Sequence, residues 1–394
     1  MGVLSMASRL ARMLRAVWMN VGIALLVLVL LDGSLRLAFW VKDRGRPVVG
    51  AIPQERLQTA HRGQEWVKGY NKELVALQEQ WRSYVYWRTR PFRGSYINID
   101  EKGIRRTWNA TPSPDPRAAR VFMFGGSTTW GYGARDEFTV PSLVAKKLGG
   151  GIKPAPWVVN FGEAGYVSTQ ELITLMLELR EGNVPDVAVF YDGVNDVWAA
   201  FQSGQAGVPQ NEFNRITEFN SRNHLNWRGG FVAKLALFRF VRNLGGTLGS
   251  TAEAAPRRSF LVPALGGAVI DAYLGNVRAI NTLAREYGFR AVFFWQPTVF
   301  FKRTLSPDEE RWGLTGGRRP GAPPFADEYR AFIGTFRQRI RSGEFSNVHD
   351  ISGVFENDRR TIFIDRFHIS ESGNETVADA MVPLLREVVG GIRR

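Results

Sequence analysis

From residue 118 onward the chain alternates short apolar runs with amphipathic stretches, and this rhythm constrains its fold more than any other feature. The runs VFMFGG (121–126), WVVNFG (157–162), DVAVFYDG (186–193) and RAVFFWQP (290–297) are short, almost wholly apolar, and end in glycine, proline or polar residues. Such runs read as strands buried on both faces. Residues 138–149, 169–181, 270–288, 327–343 and 373–389 carry helical patterning, with Gly149 and Gly288 placed to close two of these helices. NVHDIS (347–352) reads as a last edge strand. Strands joined by crossover helices imply a mostly parallel sheet covered on both faces, an α/β fold. Two stretches break the rhythm. Residues 199–265 form a Gly/Asn/Arg-rich insertion enclosing FVAKLALFRFVRNL (231–244), expected to lie over the sheet edge as a lid, and 311–324 is an arginine-bearing loop.

The N-terminus follows different rules. Arg9, Arg12 and Arg15 precede an uncharged run from Ala16 to Leu31, and apolar character resumes around Asp32 and Arg36 as far as Trp40. The uncharged part is a little short of the ~20 residues a bilayer span needs. Asp32 and Arg36 stand four apart on one helix face and are placed to pair near the interface, with Trp40 and Lys42 as anchors. No small-x-small cleavage site follows the run, so a retained transmembrane helix is expected over 16–40 rather than a signal peptide. Lys42, Arg44 and Arg46 balance the N-terminal arginines, so the positive-inside rule does not orient it. Beyond the anchor, 53–83 is patterned as an amphipathic helical stretch. Short strands are expected around the turn signals Arg93-Gly94 and Lys102-Gly103, and TPSPDPR (111–117) marks a boundary. The expected organisation is a basic segment 1–15, an anchor 16–40, an extension 41–117, and a catalytic domain 118–390 carrying the insertion at about 199–265.

Charge and rare residues narrow the chemistry. Fifty-one Lys and Arg against 37 Asp and Glu give a net charge of +14, a surface that attracts anions. Nucleic acid, anionic lipid head groups and acidic polysaccharides all fit that charge. The absence of zinc-finger spacing or an aromatic–basic recognition signature argues against nucleic acid. With no cysteine there are no disulfides, thiolate metal sites or cysteine nucleophiles. Histidines and carboxylates do not cluster at ligand spacing, so neither a metal nor a cofactor is expected. The four histidines, His61, His224, His349 and His368, are the whole choice for an imidazole base.

Open parallel sheets bind ligands at the carboxyl ends of their strands. Ser127 follows the run 121–126, Gly165 follows VVNFG, Asn195 and Asp196 follow DVAVFYDG, and Asp365 and His368 follow TIFI. The glycine-rich stretch GGSTTWGYG lacks the lysine of a Walker loop and the third glycine of a dinucleotide fingerprint. Thr129 occupies the position where the α/β-hydrolase elbow needs its last glycine. Taken singly, each residue has an ordinary role: Ser127 or Asp365 a helix cap, Asn195-Asp196 a turn, His368 a structural imidazole. Their conjunction in this order is what suggests nucleophilic catalysis.

These residues resemble the SGNH (GDSL-type) hydrolase family over roughly 118–390. The resemblance is carried by four blocks: Phe124-Gly125-Gly126-Ser127-Thr128-Thr129, Asn160-Phe161-Gly162-Glu163-Ala164-Gly165, Gly193-Val194-Asn195-Asp196, and Asp365-Arg366-Phe367-His368. The last is the most specific, because the family draws acid and base from one Asp-x-x-His turn. One departure is plain: Gly126 stands where the family usually has Asp before the serine. The resemblance implies Ser127 as nucleophile, His368 as its base and Asp365 orienting the imidazole. It also implies an oxyanion hole from the Ser127 and Gly165 N–H groups and the Asn195 amide. The expected architecture is a flavodoxin-like three-layer sandwich with a central parallel sheet, preceded by the transmembrane helix. The expected activity is a serine esterase acting on O-acyl esters of a cell-envelope glycan or glycolipid through an acyl-enzyme, with the domain on the extracytoplasmic side. Transfer of the acyl group to a sugar hydroxyl shares that intermediate. A lipase or lysophospholipase is mildly favoured by the run 231–244, and a non-catalytic glycan-binding protein is the alternative of another class. The expected partners are an acylated carbohydrate or lipid and the membrane.

Overall fold

The computed structural model describes residues 2–44, 53–108, 114–212, 214–216, 218–219, 263–315, 325–341 and 343–392. The expected lid at 231–244, His224, and the loop residues 316–324 lie outside the described residues. The chain divides into two compact units, Met1–Arg46 with Phe213–Pro256, and Pro47–Glu212 with Arg257–Arg394.

In the first unit, helix α1 spans Gly2–Arg44. Its stretch Met13–Phe39 has a mean hydropathy of 2.2 and buries none of its apolar window, so it is long and apolar enough to cross a membrane. Arg36 Nε donates to Asp32 Oδ2 at 2.7 Å, the i,i+4 pair expected from the spacing.

The second unit begins with α2 (Gln54–Ala60) and α3 (Trp66–Ala76). An antiparallel hairpin of β1 (Glu79–Arg82) and β2 (Tyr86–Thr89) follows, then a short pair β3 (Phe92–Arg93) and β4 (Asn98–Ile99). The continuous amphipathic stretch expected over 53–83 is therefore broken twice. Arg62 and Gly63 both take left-handed conformations (φ 53° and 72°), which ends α2, and the chain is already extended at Glu79. Leu57, Val67, Tyr70 and Ile97 form a small core with Trp130, Tyr132 and Ile364, so the extension packs directly on the segments that carry Ser127 and Asp365.

The central sheet has five parallel strands in the order β6-β5-β7-β8-β9, where β5 is Arg120–Gly125, β6 Trp157–Asn160, β7 Val187–Asp192, β8 Arg290–Trp295 and β9 Val348–Asp350. In chain order this is 2-1-3-4-5, the flavodoxin-like doubly wound arrangement. Every residue of β7 is buried, as a central strand covered on both faces requires. A stack of near-parallel rings, Phe161–Phe124–Phe190–Phe293, crosses the sheet at centroid distances of 5.1, 5.0 and 4.9 Å. The helices are α4 (Ser127–Trp130), α5 (Val140–Gly149), α6 (Ser168–Arg180), α7 (Val194–Ser203), α8 (Pro263–Tyr287), α9 (Pro307–Arg311), α10 (Phe325–Ile340) and α11 (Glu371–Gly390). Helices α5 and α11 pack together, as do α6 and α8, giving the outer layers of a three-layer sandwich. Gly288 closes α8 at φ 76°, its N–H on the Ala284 carbonyl at 2.9 Å.

One expected strand is missing. TIFI before Asp365 contributes a single bridge, Phe363 to Ile369, and no sheet strand. Asp365 and His368 therefore sit on a turn leading into α11, not at a fourth strand end. The reason is local: the turn folds back on itself, with Ile364 N–H on His368 O and Ser370 N–H on Ile362 O, both 2.9 Å. Its backbone bonds are satisfied without a neighbour in the sheet.

Candidate active site

Strand β5 ends in Gly125, Gly126 follows it, and the geometry leaves no room for a side chain at Gly125. A Cβ at Gly125 would stand 2.1 Å from Thr129 Oγ1 and 2.2 Å from the Tyr191 carbonyl oxygen. Thr129 fills that space, donating to Tyr191 O at 2.8 Å. The chain thus turns from β5 directly into α4, with Ser127 as its first residue.

His368 Nε2 lies 2.6 Å from Ser127 Oγ, and its Nδ1 lies 2.6 Å from Asp365 Oδ2. The remaining oxygen, Asp365 Oδ1, accepts the Phe367 and His368 N–H groups, each at 2.8 Å. One carboxylate therefore both shapes the turn and holds the imidazole. Burial pushes the Asp365 carboxyl up, but the His368 charge, its ring hydrogen bond and the two backbone N–H groups outweigh burial. The net result is a value below its ordinary one, so it stays ionised at neutral pH. With an anionic partner at Nδ1, that nitrogen carries the proton and Nε2 is free to accept one from the serine. The Tyr132 ring packs on the imidazole at 4.6 Å between centroids.

The turn is anchored from below by residues that sequence reasoning missed. Buried Glu309 accepts the N–H groups of Ile362 and Phe363 at 3.0 Å and pairs with buried Lys302 at 2.6 Å. Lys302 also donates to Arg360 O at 2.7 Å.

Asn195, the second residue of α7, directs its Nδ2 at the Tyr166 carbonyl (2.8 Å) and accepts from Gln210 at 3.3 Å. The same Nδ2 would lie 2.1 Å from a Cβ at Gly126, which places the amide against the residue just before the serine. Gly165 lies in the loop after β6 at φ 78°. That loop is clasped by the extension. Glu163, fully buried, accepts Thr89 N–H at 2.9 Å, Thr89 Oγ1 at 2.7 Å and Ala164 N–H at 3.1 Å, with Arg88 Nε at 3.5 Å. Trp87 Nε1 donates to Ala164 O at 2.9 Å, Arg88 to Phe161 O at 3.1 Å, and Gln170 Nε2 to Val85 O at 2.7 Å. Ser127, Asp365 and His368 are thus joined, with Asn195 beside them, and the loop bearing Gly165 is fixed by the hairpin.

Asp196 does something else. Its carboxylate accepts Ser168 N–H at 3.1 Å and caps α6, buried beside Asp192 and Glu171. His61 and His349 play structural parts: His61 meets Gly133 O at 2.8 Å and the Trp66 ring, and His349 lies on β9 against Phe294. Among the described residues no group of histidines and carboxylates could hold a metal ion.

The buried acids have a consequence for pH. Burial, and then the neighbouring Asp192 charge, push Asp196 up to about 7, and burial alone pushes Asp192 up to about 6. The folded chain therefore holds these protons more tightly than the unfolded chain. The stability these two groups contribute is fully present below about pH 4 and is lost as pH rises through about 7. At about 1.4 kcal/mol per pKa unit, Asp196 alone should lower unfolding free energy by roughly 3 kcal/mol between pH 4.5 and 8. Denaturant titrations at the two pH values should show this decline, and Asp196→Asn should flatten it. Equal slopes in the two proteins would rule out Asp196 as its source.

No protein-family model matches the chain, and no curated protein does. Among solved structures it is similar to the acetyl xylan esterase AlAXEase, at 15% identity and a TM-score of 0.38, covering 67% of this chain and 98% of that one. It is similar to the lipase/acylhydrolase from Enterococcus faecalis (15%, 0.37, covering 68% and 96%). It is also similar to Axe2, an acetylxylan esterase from Geobacillus stearothermophilus (14%, 0.34, covering 70% and 96%).

Proposed function

We propose that the chain is a membrane-anchored serine esterase that removes acyl groups from an O-acylated glycan or glycolipid of the cell envelope. The observation that carries this reading is the relay Ser127 Oγ, His368, Asp365, two contacts of 2.6 Å each. In the proposed reaction His368 Nε2 takes the proton as Ser127 Oγ bonds to the ester carbonyl carbon. The oxyanion is met by the Ser127 and Gly165 N–H groups and the Asn195 amide. His368 returns the proton to the departing alkoxide, leaving an acyl-serine and a free hydroxyl. Water, deprotonated by the same imidazole, then releases the carboxylic acid. A fluorophosphonate probe should label the wild-type protein covalently and leave Ser127→Ala unlabelled. A folded wild-type protein that resists the probe and does not hydrolyse p-nitrophenyl acetate would overturn the reading.

The anchor is assigned to α1, whose window Met13–Phe39 meets the length and hydropathy a span requires. The catalytic unit is placed outside the cytoplasm, where envelope glycans lie. An export-dependent reporter fused to the C-terminus should be active and a cytoplasm-dependent one silent; the reverse pattern would reject this placement.

A further inference from the structure

The β1–β2 hairpin carries chemistry that the relay does not use. Its sequence, EQWRSYVYWRT, interleaves four aromatic rings with polar residues. Trp81 is 64% exposed and Tyr84 68%, whereas the one aliphatic residue of the turn, Val85, is buried. The Trp81 and Tyr86 rings stack at 5.6 Å and 18° between planes, and Tyr86 meets Trp87 at 6.5 Å. Trp87 reaches the active-site loop: its Nε1 bonds Ala164 O, and its ring lies 3.4 Å from where a Cβ would stand on Gly165. A line of rings therefore runs from the candidate oxyanion glycine through Trp87 and Tyr86 to Trp81 on β1.

The backbone beneath those rings is strained. Tyr84 and Tyr86 hold φ values of 71° and 73°, the left-handed region that β-hairpins normally give to glycine or asparagine. Such a conformation is costly and persists where the surroundings enforce it, commonly at ligand clamps. The turn itself has no need of tyrosine, since glycine would adopt the conformation without that strain.

We propose that this hairpin is a carbohydrate-binding platform that holds the glycan part of the substrate and leads its ester to Ser127. The inference rests on the reading of Ser127 as an acyl-processing centre and specifies how the ester's carrier is recognised. Flat, rigid rings offer faces to the C–H face of a pyranose, and the interleaved Gln80, Arg82 and Ser83 offer hydrogen-bond partners for its hydroxyls. An amphipathic helix would call for aliphatic surface, which the hairpin hides; a membrane interface also takes Trp and Tyr, and the vesicle titration below detects it. Arg82, in a chain of net charge +14, favours a glycan that also bears carboxylates.

Binding and turnover separate the two claims. The full-length chain in detergent, carrying Ser127→Ala, would be titrated with O-acetylated polygalacturonate and O-acetylated glucomannan, and wild-type hydrolysis of p-nitrophenyl acetate measured independently. We expect binding to at least one polymer, weakened tenfold or more by Trp81→Ala and by Tyr84→Ala, and largely restored in Trp81→Phe. The ratio of kcat/KM on that polymer to kcat/KM on the aryl ester should fall by a similar factor. Binding indifferent to Trp81, or no polymer binding by a chain that hydrolyses the aryl ester, would overturn the platform. Trp81-dependent binding to anionic phospholipid vesicles instead of polymer would overturn it in favour of a membrane contact. Polymer binding that depends on Trp81 in a chain without esterase activity would keep the platform and reject the esterase.

Discussion

Replacing His368 with Ala should lower kcat toward p-nitrophenyl acetate by about 10⁴- to 10⁶-fold while leaving KM within a few-fold, because the lost interaction operates in the transition state. The hydroxyl of Ser127 has its imidazole at 2.6 Å, and His61 and His349 are tied into the extension and β9. Asp365→Asn should cost up to about 10⁴-fold, since an amide at Oδ2 would favour the wrong imidazole tautomer. This substitution separates the two tasks of the carboxylate. The Asn oxygen can still accept the Phe367 and His368 N–H groups, so the turn should survive while the rate does not, whereas Asp365→Ala removes both. Steady-state kinetics with thermal melts on each variant would decide. A His368→Ala enzyme of near-normal rate would move the base elsewhere.

The alternation of apolar runs and helical stretches was enough to read the layers, because strands buried on both faces leave continuous hydrophobic signatures, as Val187–Asp192 does. The pairing of Asp365 with His368 was legible for a related reason: three residues of spacing fix their distance locally, within one turn. The strand expected at TIFI was misread because an apolar run records burial and not hydrogen-bond partners. Ile362 and Phe363 are buried, yet their N–H groups go to Glu309 rather than to a neighbouring strand. Ser306-x-x-Glu309 carries a recognisable capping-box pattern, and Glu309 does cap α9. Its second role, holding the turn before Asp365, depends on residues more than 50 positions away and leaves no local trace. The hairpin's grip on Glu163 was hidden in the same way. Thr89 and Glu163 lie 74 positions apart, and nothing in either segment alone marks the other as its partner. The extension thus read as a separate piece before the fold, although it shares a core with Trp130, Tyr132 and Ile364.

Gly126→Ala should reduce kcat by about 10²- to 10³-fold with little loss of stability, although a single methyl group is added. That Cβ would sit 2.1 Å from Asn195 Nδ2, while the next atom outside Asn195 is the Tyr166 carbonyl at 3.5 Å, an ordinary contact. The backbone can therefore stay, and the amide must move. Displacing one oxyanion donor removes about 3 kcal/mol of transition-state stabilisation. Gly126→Asp, which places a larger side chain at the same point, is the informative companion. If the amide's place depends on the missing side chain, Asp should harm the proposed activity as much as Ala does. A double-mutant cycle with Asn195→Ala tests the mechanism directly. Once the amide is gone, the Gly126→Ala penalty should nearly vanish, giving strong non-additivity between the two sites. Additive losses, or a fully active Gly126→Ala enzyme, would mean that Asn195 acts from another position or does not bind the oxyanion. Near-additivity with a large drop in melting temperature would instead locate the damage in the β5–α4 turn. Gly126 would then be explained by the backbone alone.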